Sequence, residues 1–131
     1  MEAIFYLLLF FELTPHFEGA SGKKLYPTYA YARLYDQEGE ELKVHRDRPS
    51  CEISATLTLG FEGDVWPIYM GHHEDKSEAT EIKMVAGDAV LYRGMDVYHW
   101  REKYTEGKWQ AQVFLHYVDQ EGPHAEWKYD K

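Results

Sequence analysis

Between two runs of alternating apolar residues the chain reads KVHRDRPSCEIS, residues 43–54, which sets His45 and Asp47 two positions apart. At the end of a strand, residues i and i+2 share a face, so both side chains reach the same side. Two ligands at that spacing can meet one divalent cation. A third donor, His99, stands in GDAVLYRGMDVYHW, just after a strand and a turn. Two imidazoles and one carboxylate on one face of an ion leave three positions open, an arrangement that suits non-haem Fe(II). A structural zinc site takes four protein ligands, and no convincing fourth is present.

The letters His45-Arg46-Asp47 also match the catalytic loop of protein kinases. The chain has no Gly-rich loop, no D-F-G and no Asn downstream of the Asp, and it is far too short. Arg46 then reads as a spacer that faces away from the metal. His72 and His73 sit in the acidic stretch HHEDKSEATE, and neighbours on an extended segment point opposite ways, so the pair reads as solvated loop. His16, His116 and His124 have no ligand partner at useful spacing and read as packing or surface residues.

The elements that must position these donors follow from periodicity. The N-terminal MEAIFYLLLFFELTPHF carries a nine-residue apolar run from Ala3 to Phe11, too short to span a bilayer. Glu2 stands where a signal peptide wants basic residues. The run predicts a core-packing helix that ends near Pro15, within a supporting segment 1–19. After the turn EGASGKK the period becomes that of strands: LYPTYAYARLY, LKVHRD, EISATLTLGF, VWPIYM, GDAVLYRG and KWQAQVFLHYV. Pro67 in VWPIYM predicts an edge strand or a bulge.

The first of these strands puts Tyr29, Tyr31, Arg33 and Tyr35 opposite Ala30, Ala32 and Leu34. Another sets Ser54, Thr56 and Thr58 against Ile53, Ala55, Leu57 and Leu59, and the last adds Gln110, Gln112 and His116 to the polar side. Exposed strands of an acidic protein favour charges. Uncharged Ser, Thr, Gln and Tyr suit instead the wet interior of a small barrel that holds a ligand. Several short strands after one helix predict a mainly β sandwich or barrel, with a β core over about residues 25–118 of one domain spanning 1–131.

Composition narrows the partners. The chain has 131 residues, 44% of them hydrophobic, enough for one packed core. Its formal charge is −9, with 23 acidic against 14 basic side chains and no basic run. That lacks the electrostatic footprint of a nucleic-acid binder. The single Cys51 cannot form an internal disulfide, which fits a reducing, cytoplasmic compartment. A small molecule or a peptide is the expected substrate. Oligomeric state is not encoded in any pattern here.

Taken together, Tyr35 and Gly39 ahead of HRD, a Ser/Thr-rich strand, GDAVLYRG, His99 and GKWQAQVFLH give a combined pattern. Over residues 29 to 118 it resembles the Fe(II)- and 2-oxoglutarate-dependent oxygenases of the prolyl-4-hydroxylase-like group. The resemblance implies a double-stranded β-helix, a jelly-roll or cupin-like barrel. It implies Fe(II) on His45, Asp47 and His99, with 2-oxoglutarate and O2 as cosubstrates and ascorbate as a helper. It implies that Lys108, of the KW pair after the distal His, pairs with the far carboxylate of 2-oxoglutarate. Arg101, two after His99, is the other candidate, favoured by bidentate geometry. Tyr35 and Thr58 are expected to donate hydrogen bonds to the same molecule.

The implied reaction is oxidative decarboxylation of 2-oxoglutarate to succinate and CO2, coupled to hydroxylation of a substrate that the motif does not name, prolyl peptides being one option. The other readings are a non-catalytic metal-binding or ligand-sensing β-barrel of the same fold, and a cupin-like zinc or manganese protein. The chain departs from the group in its short N-terminal support and in VWPIYM, where many relatives have a Gly-Gly-rich strand.

Overall fold

The computed structural model describes residues 2–105 and 107–129, with side chains from residue 5 onward. One helix, α1 (Glu2–Ser21), precedes eight strands: β1 (Leu25–Tyr35), β2 (Leu42–His45), β3 (Ile53–Gly63), β4 (Ile68–Gly71), β5 (Thr80–Ile82), β6 (Ala89–Tyr92), β7 (Tyr98–Arg101) and β8 (Gly107–Asp119). They form two antiparallel four-stranded sheets, ordered β1-β8-β3-β6 and β2-β7-β4-β5. This order, with the chain crossing repeatedly from one sheet to the other, is the double-sheet jelly roll. The mainly β barrel expected from the alternation is the observed fold.

The two faces of the β1-β8-β3-β6 sheet divide as the alternation predicts over most of their length; Leu34 and Leu59, expected on the apolar face, lie exposed beyond the part that α1 covers. Ala30, Ile53, Ala55, Leu57, Leu91, Val113, Leu115 and Tyr117 form one apolar face. Tyr6, Leu9, Phe10, Leu13 and Phe17 of α1 cover it, and Tyr117 meets the rings of Phe10 and Phe17 edge-on. That packing carries the helix past Pro15 to Ser21, six residues beyond the predicted stop. Apolar burial along the whole stripe outweighs the one backbone hydrogen bond that proline removes. The helix ends where Gly22 takes φ +72° and donates its N–H to the Glu18 carbonyl at 2.9 Å, a left-handed cap. Among the described residues no helix is long and apolar enough to cross a membrane.

Two local expectations change. β4 begins after Pro67 and lies between β7 and β5, not at an edge. Proline can start a strand without costing a ladder hydrogen bond. Thr80–Ile82, at the end of the stretch read as a polar connection, forms β5. His99 follows β6 and a turn, as expected, and is itself the second residue of a further strand, β7.

Candidate metal centre

His45 ends β2 and lies directly across from His99 on β7. The register between the two strands shifts between Leu42 and His45. Such a bulge re-aims side chains, and here the two imidazole centroids come to 4.3 Å. Asp47 follows in the loop. Its Oδ1 lies 3.3 Å from His45 Nε2 and 3.2 Å from His99 Nε2. The sequence-predicted triad is thus brought together, with one donor atom from each residue inside a 4.8 Å group.

The backbone fixes the tautomers. His45 Nδ1–H donates to the Lys43 carbonyl at 2.7 Å, and His99 Nδ1–H donates to the Val97 carbonyl at 3.1 Å. A carbonyl only accepts, so in the neutral rings both Nε2 atoms carry lone pairs. Two lone pairs and a carboxylate oxygen then converge within 3.3 Å, and a cation between them is required to offset the repulsion. A proton serves in part: a hydrogen bond to Asp47 raises the His45 pKa above its ordinary value. A divalent metal satisfies all three donors at once, and the donor set fits Fe(II).

Asp47 is held in place. Burial pushes its carboxyl pKa up, but hydrogen bonds to His45 and His99 outweigh that and bring it to about 2. Its backbone N–H donates to the Gly94 carbonyl at 2.7 Å, while Gly94 N–H donates to Glu52 O at 3.1 Å. A Cβ on Gly94 would run into the Cys51 carbonyl and the Asp47 carboxylate. Glycine at 94 is therefore what lets the β6–β7 loop lie against the ligand loop.

Below the triad, the uncharged polar residues of β3 and β8 are buried, while on β1 Tyr35 is buried and Tyr31 and Arg33 of the same face are exposed. Thr56, Thr58, Gln110 and Gln112 are each at most 1% exposed. Arg101, two residues beyond His99 on the same face of β7, is also 1% exposed. Its Nη1 donates to the Trp66 carbonyl at 2.5 Å, and the guanidinium lies 5.1 Å from the Trp66 ring centroid. Gln110 Nε2 donates to the same carbonyl, and Gln112 Nε2 donates to Thr56 Oγ1 at 2.9 Å. Arg101 Nε and Nη2 and Thr58 Oγ1 have no hydrogen-bond partner. Burial lowers the Arg101 pKa to about 10, so the guanidinium stays charged at neutral pH. Buried donors of this kind call for an anion.

Lys108 is not brought to this interior. It lies on the outside at the start of β8, its side chain 73% exposed and paired with Glu62 at 3.2 Å. Tyr35 is 2% exposed and sits against Trp66 at 4.8 Å between ring centroids. Arg33 lies at the rim, over the Tyr35 ring and paired with Glu40. Arg46 stacks on Tyr98 and lines the cleft at the metal end, rather than pointing away. His116, read as an ordinary packing residue, lies beside Asp47 and Cys51. No spacing rule links positions 47, 51 and 116, so only the fold reveals it.

No family model matches the sequence, and no curated protein matches it. Solved structures do. A 2OG-Fe(II) oxygenase family oxidoreductase from Burkholderia pseudomallei superposes with a TM-score of 0.71 over 89% of this chain at 15% identity. This is the fold of the 2OG-Fe(II) oxygenases. A prolyl-4-hydroxylase from Pseudomonas putida shares the oxygenase fold over 69% of the chain, with a TM-score of 0.54 and 22% identity. So does the non-haem alpha-ketoglutarate-dependent epimerase SnoN of nogalamycin biosynthesis, over 82% with a TM-score of 0.64 and 12% identity. The chain spans 55%, 50% and 52% of the length of these three proteins, about half of each.

Proposed function

We propose that the protein is an iron(II)- and 2-oxoglutarate-dependent oxygenase, most simply a hydroxylase. The observation that carries the reading is the pairing of two features on β7. His99 stands in a two-His, one-carboxylate triad, and Arg101 stands two residues on, with two unpartnered guanidinium nitrogens. Two residues of strand span roughly 6.5–7 Å, a separation suited to a short dicarboxylate reaching from the metal to the cation.

His45, Asp47 and His99 hold the metal, and the backbone carbonyls of Lys43 and Val97 keep both imidazoles in the ligating tautomer. Bound Fe(II) with 2-oxoglutarate supplies the activation of O2, with succinate and CO2 as the products of the cosubstrate. Arg101 is the proposed anchor for the far carboxylate, as a charge-assisted pair that burial strengthens. Thr58 and Tyr35 add hydroxyl donors. Trp66, Tyr35 and Phe114 close the interior against water. Substrate enters through a cleft of about 610 Å³ at the metal end, lined by Val44, His45, Arg46, Asp47, Glu74, Met95 and Tyr98.

Prolyl hydroxylation and epimerisation both occur on this fold, so prolyl peptides are one class to test among small molecules. The decisive assay is turnover without a known substrate. Purified protein given Fe(II), ascorbate, O2 and 2-oxoglutarate should form succinate at a slow uncoupled rate. Stoichiometric iron with no succinate under any substrate tried would move the assignment to a non-catalytic barrel of the same fold.

A further inference from the structure

Cys51 and His116 lie next to the triad and have no part in it. Cys51, in a short 3-10 turn over Pro49–Cys51, is 3% exposed, and His116 on β8 is 4% exposed. Ser54 Oγ donates its one proton to the Cys51 carbonyl at 3.0 Å. The same oxygen lies 2.7 Å from His116 Nδ1, so it accepts there, and Nδ1 carries the hydrogen. In the neutral ring Nε2 is then the lone-pair nitrogen, the tautomer that His45 and His99 also hold. Tyr29 Oη lies 3.2 Å from Cys51 Sγ, and its ring is 4.6 Å from that of His116. The Cys51 sulfur, a ring nitrogen of His116 and an Asp47 carboxylate oxygen all lie within 4.8 Å of one another.

We propose that Asp47, Cys51 and His116 form a second divalent-metal site, adjacent to the first and sharing Asp47 with it, suited to a borderline-soft ion such as Zn2+. Tetrahedral bonds of about 2.0–2.3 Å put two donors of one ion roughly 3.3–3.6 Å apart. From within 4.8 Å, the three atoms need to close by at most about 1.5 Å, a side-chain adjustment. A sulfur, a nitrogen and an oxygen donor match zinc better than the N,N,O triad does, because a thiolate favours softer ions. On binding, the Cys51 thiol loses its proton to solvent and the sulfur becomes the ligand. A carboxylate common to two sites either bridges both ions or is drawn to one of them. In either case zinc at the thiolate site weakens the hold of His45, Asp47 and His99 on Fe(II), through the shared ligand and the like charge.

The test is independent of turnover. Co(II) is titrated into the metal-free protein, and thiolate-to-cobalt charge transfer is read in the near ultraviolet. Cys51 is the only cysteine in the chain, so any such band reports this site. The band should reach one per chain, persist in His99→Ala, weaken in His116→Gln and vanish in Cys51→Ser. Visible cobalt bands without charge transfer in the folded wild-type protein would overturn the proposal, even if Cys51→Ser fails to fold. A band lost in His99→Ala would overturn it too, because the sulfur would then belong to the first site. The oxygenase reading fails separately, by absence of succinate.

Discussion

Protons and metal compete for the lone pair of His45. Asp47 raises the His45 pKa, so the metal-free protein holds a proton there that gains stability below the ordinary His value. That gain is lost as pH rises through the raised value. Metal must displace this proton, so Mn(II) affinity, measured by calorimetry, should tighten between about pH 6 and pH 8. A flat profile would show that His45 is not a ligand. Arg101 makes the sharper residue-scale prediction. Arg101→Ala should raise the 2-oxoglutarate requirement roughly 10–100-fold, the size of a lost charge-assisted pair of about 1.5–3 kcal/mol, with metal stoichiometry intact. Lys108→Ala should leave it unchanged. Arg101→Met, which replaces a charge with two unpaired nitrogens by an apolar chain, should leave thermal stability of the ligand-free protein equal or higher. The sequence ranked Lys108 first because it stands at the spacing the resembled family uses. What moves it outward is a register shift in the β3–β8 pairing between Glu62 and Gly63, facing Trp109 and Gly107. A bulge leaves no trace in an alternating pattern, so that choice was not legible.

Strands of eleven or thirteen residues announce themselves by alternation, and β1, β3 and β8 were readable with both faces assigned. The four residues of β7 and the three of β5 are too few for a period, so their strand character comes from neighbours. β7 in particular is defined by β2 on one side and β4 on the other, and it carries both His99 and Arg101. The helix was legible as an apolar segment, but its length was not, because Pro15 signals a stop that packing on Tyr117 and Leu115 overrides. At this scale the loop between β6 and β7 is the piece most exposed to a single change. Gly94→Ala should cost about 1–3 kcal/mol by forcing the loops apart. It should also lower metal affinity by roughly 10–100-fold through the displaced Asp47. Urea unfolding and a metal titration of the same variant separate the two effects, and normal metal affinity would show that the loop contact does not position Asp47.

As a whole the molecule is an acidic chain folded into a barrel whose interior holds, among the described residues, the buried guanidinium of Arg101, and in the proposed reading metal and cosubstrate enter together to satisfy that interior. Mn(II) with 2-oxoglutarate should therefore raise the melting temperature more than the sum of each alone, since ligand at 100 times its Kd adds about 2.7 kcal/mol. Additive shifts would mean two unconnected sites. The central claim is that one cosubstrate bridges the triad and the interior of the barrel. Its most direct measurement is the visible absorption on adding Fe(II) and 2-oxoglutarate without oxygen. A weak charge-transfer band from chelated cosubstrate should appear in the wild-type protein and in Lys108→Ala. It should need more 2-oxoglutarate in Arg101→Ala and be absent in Asp47→Ala. No band in iron-loaded wild-type protein at saturating 2-oxoglutarate would contradict the account.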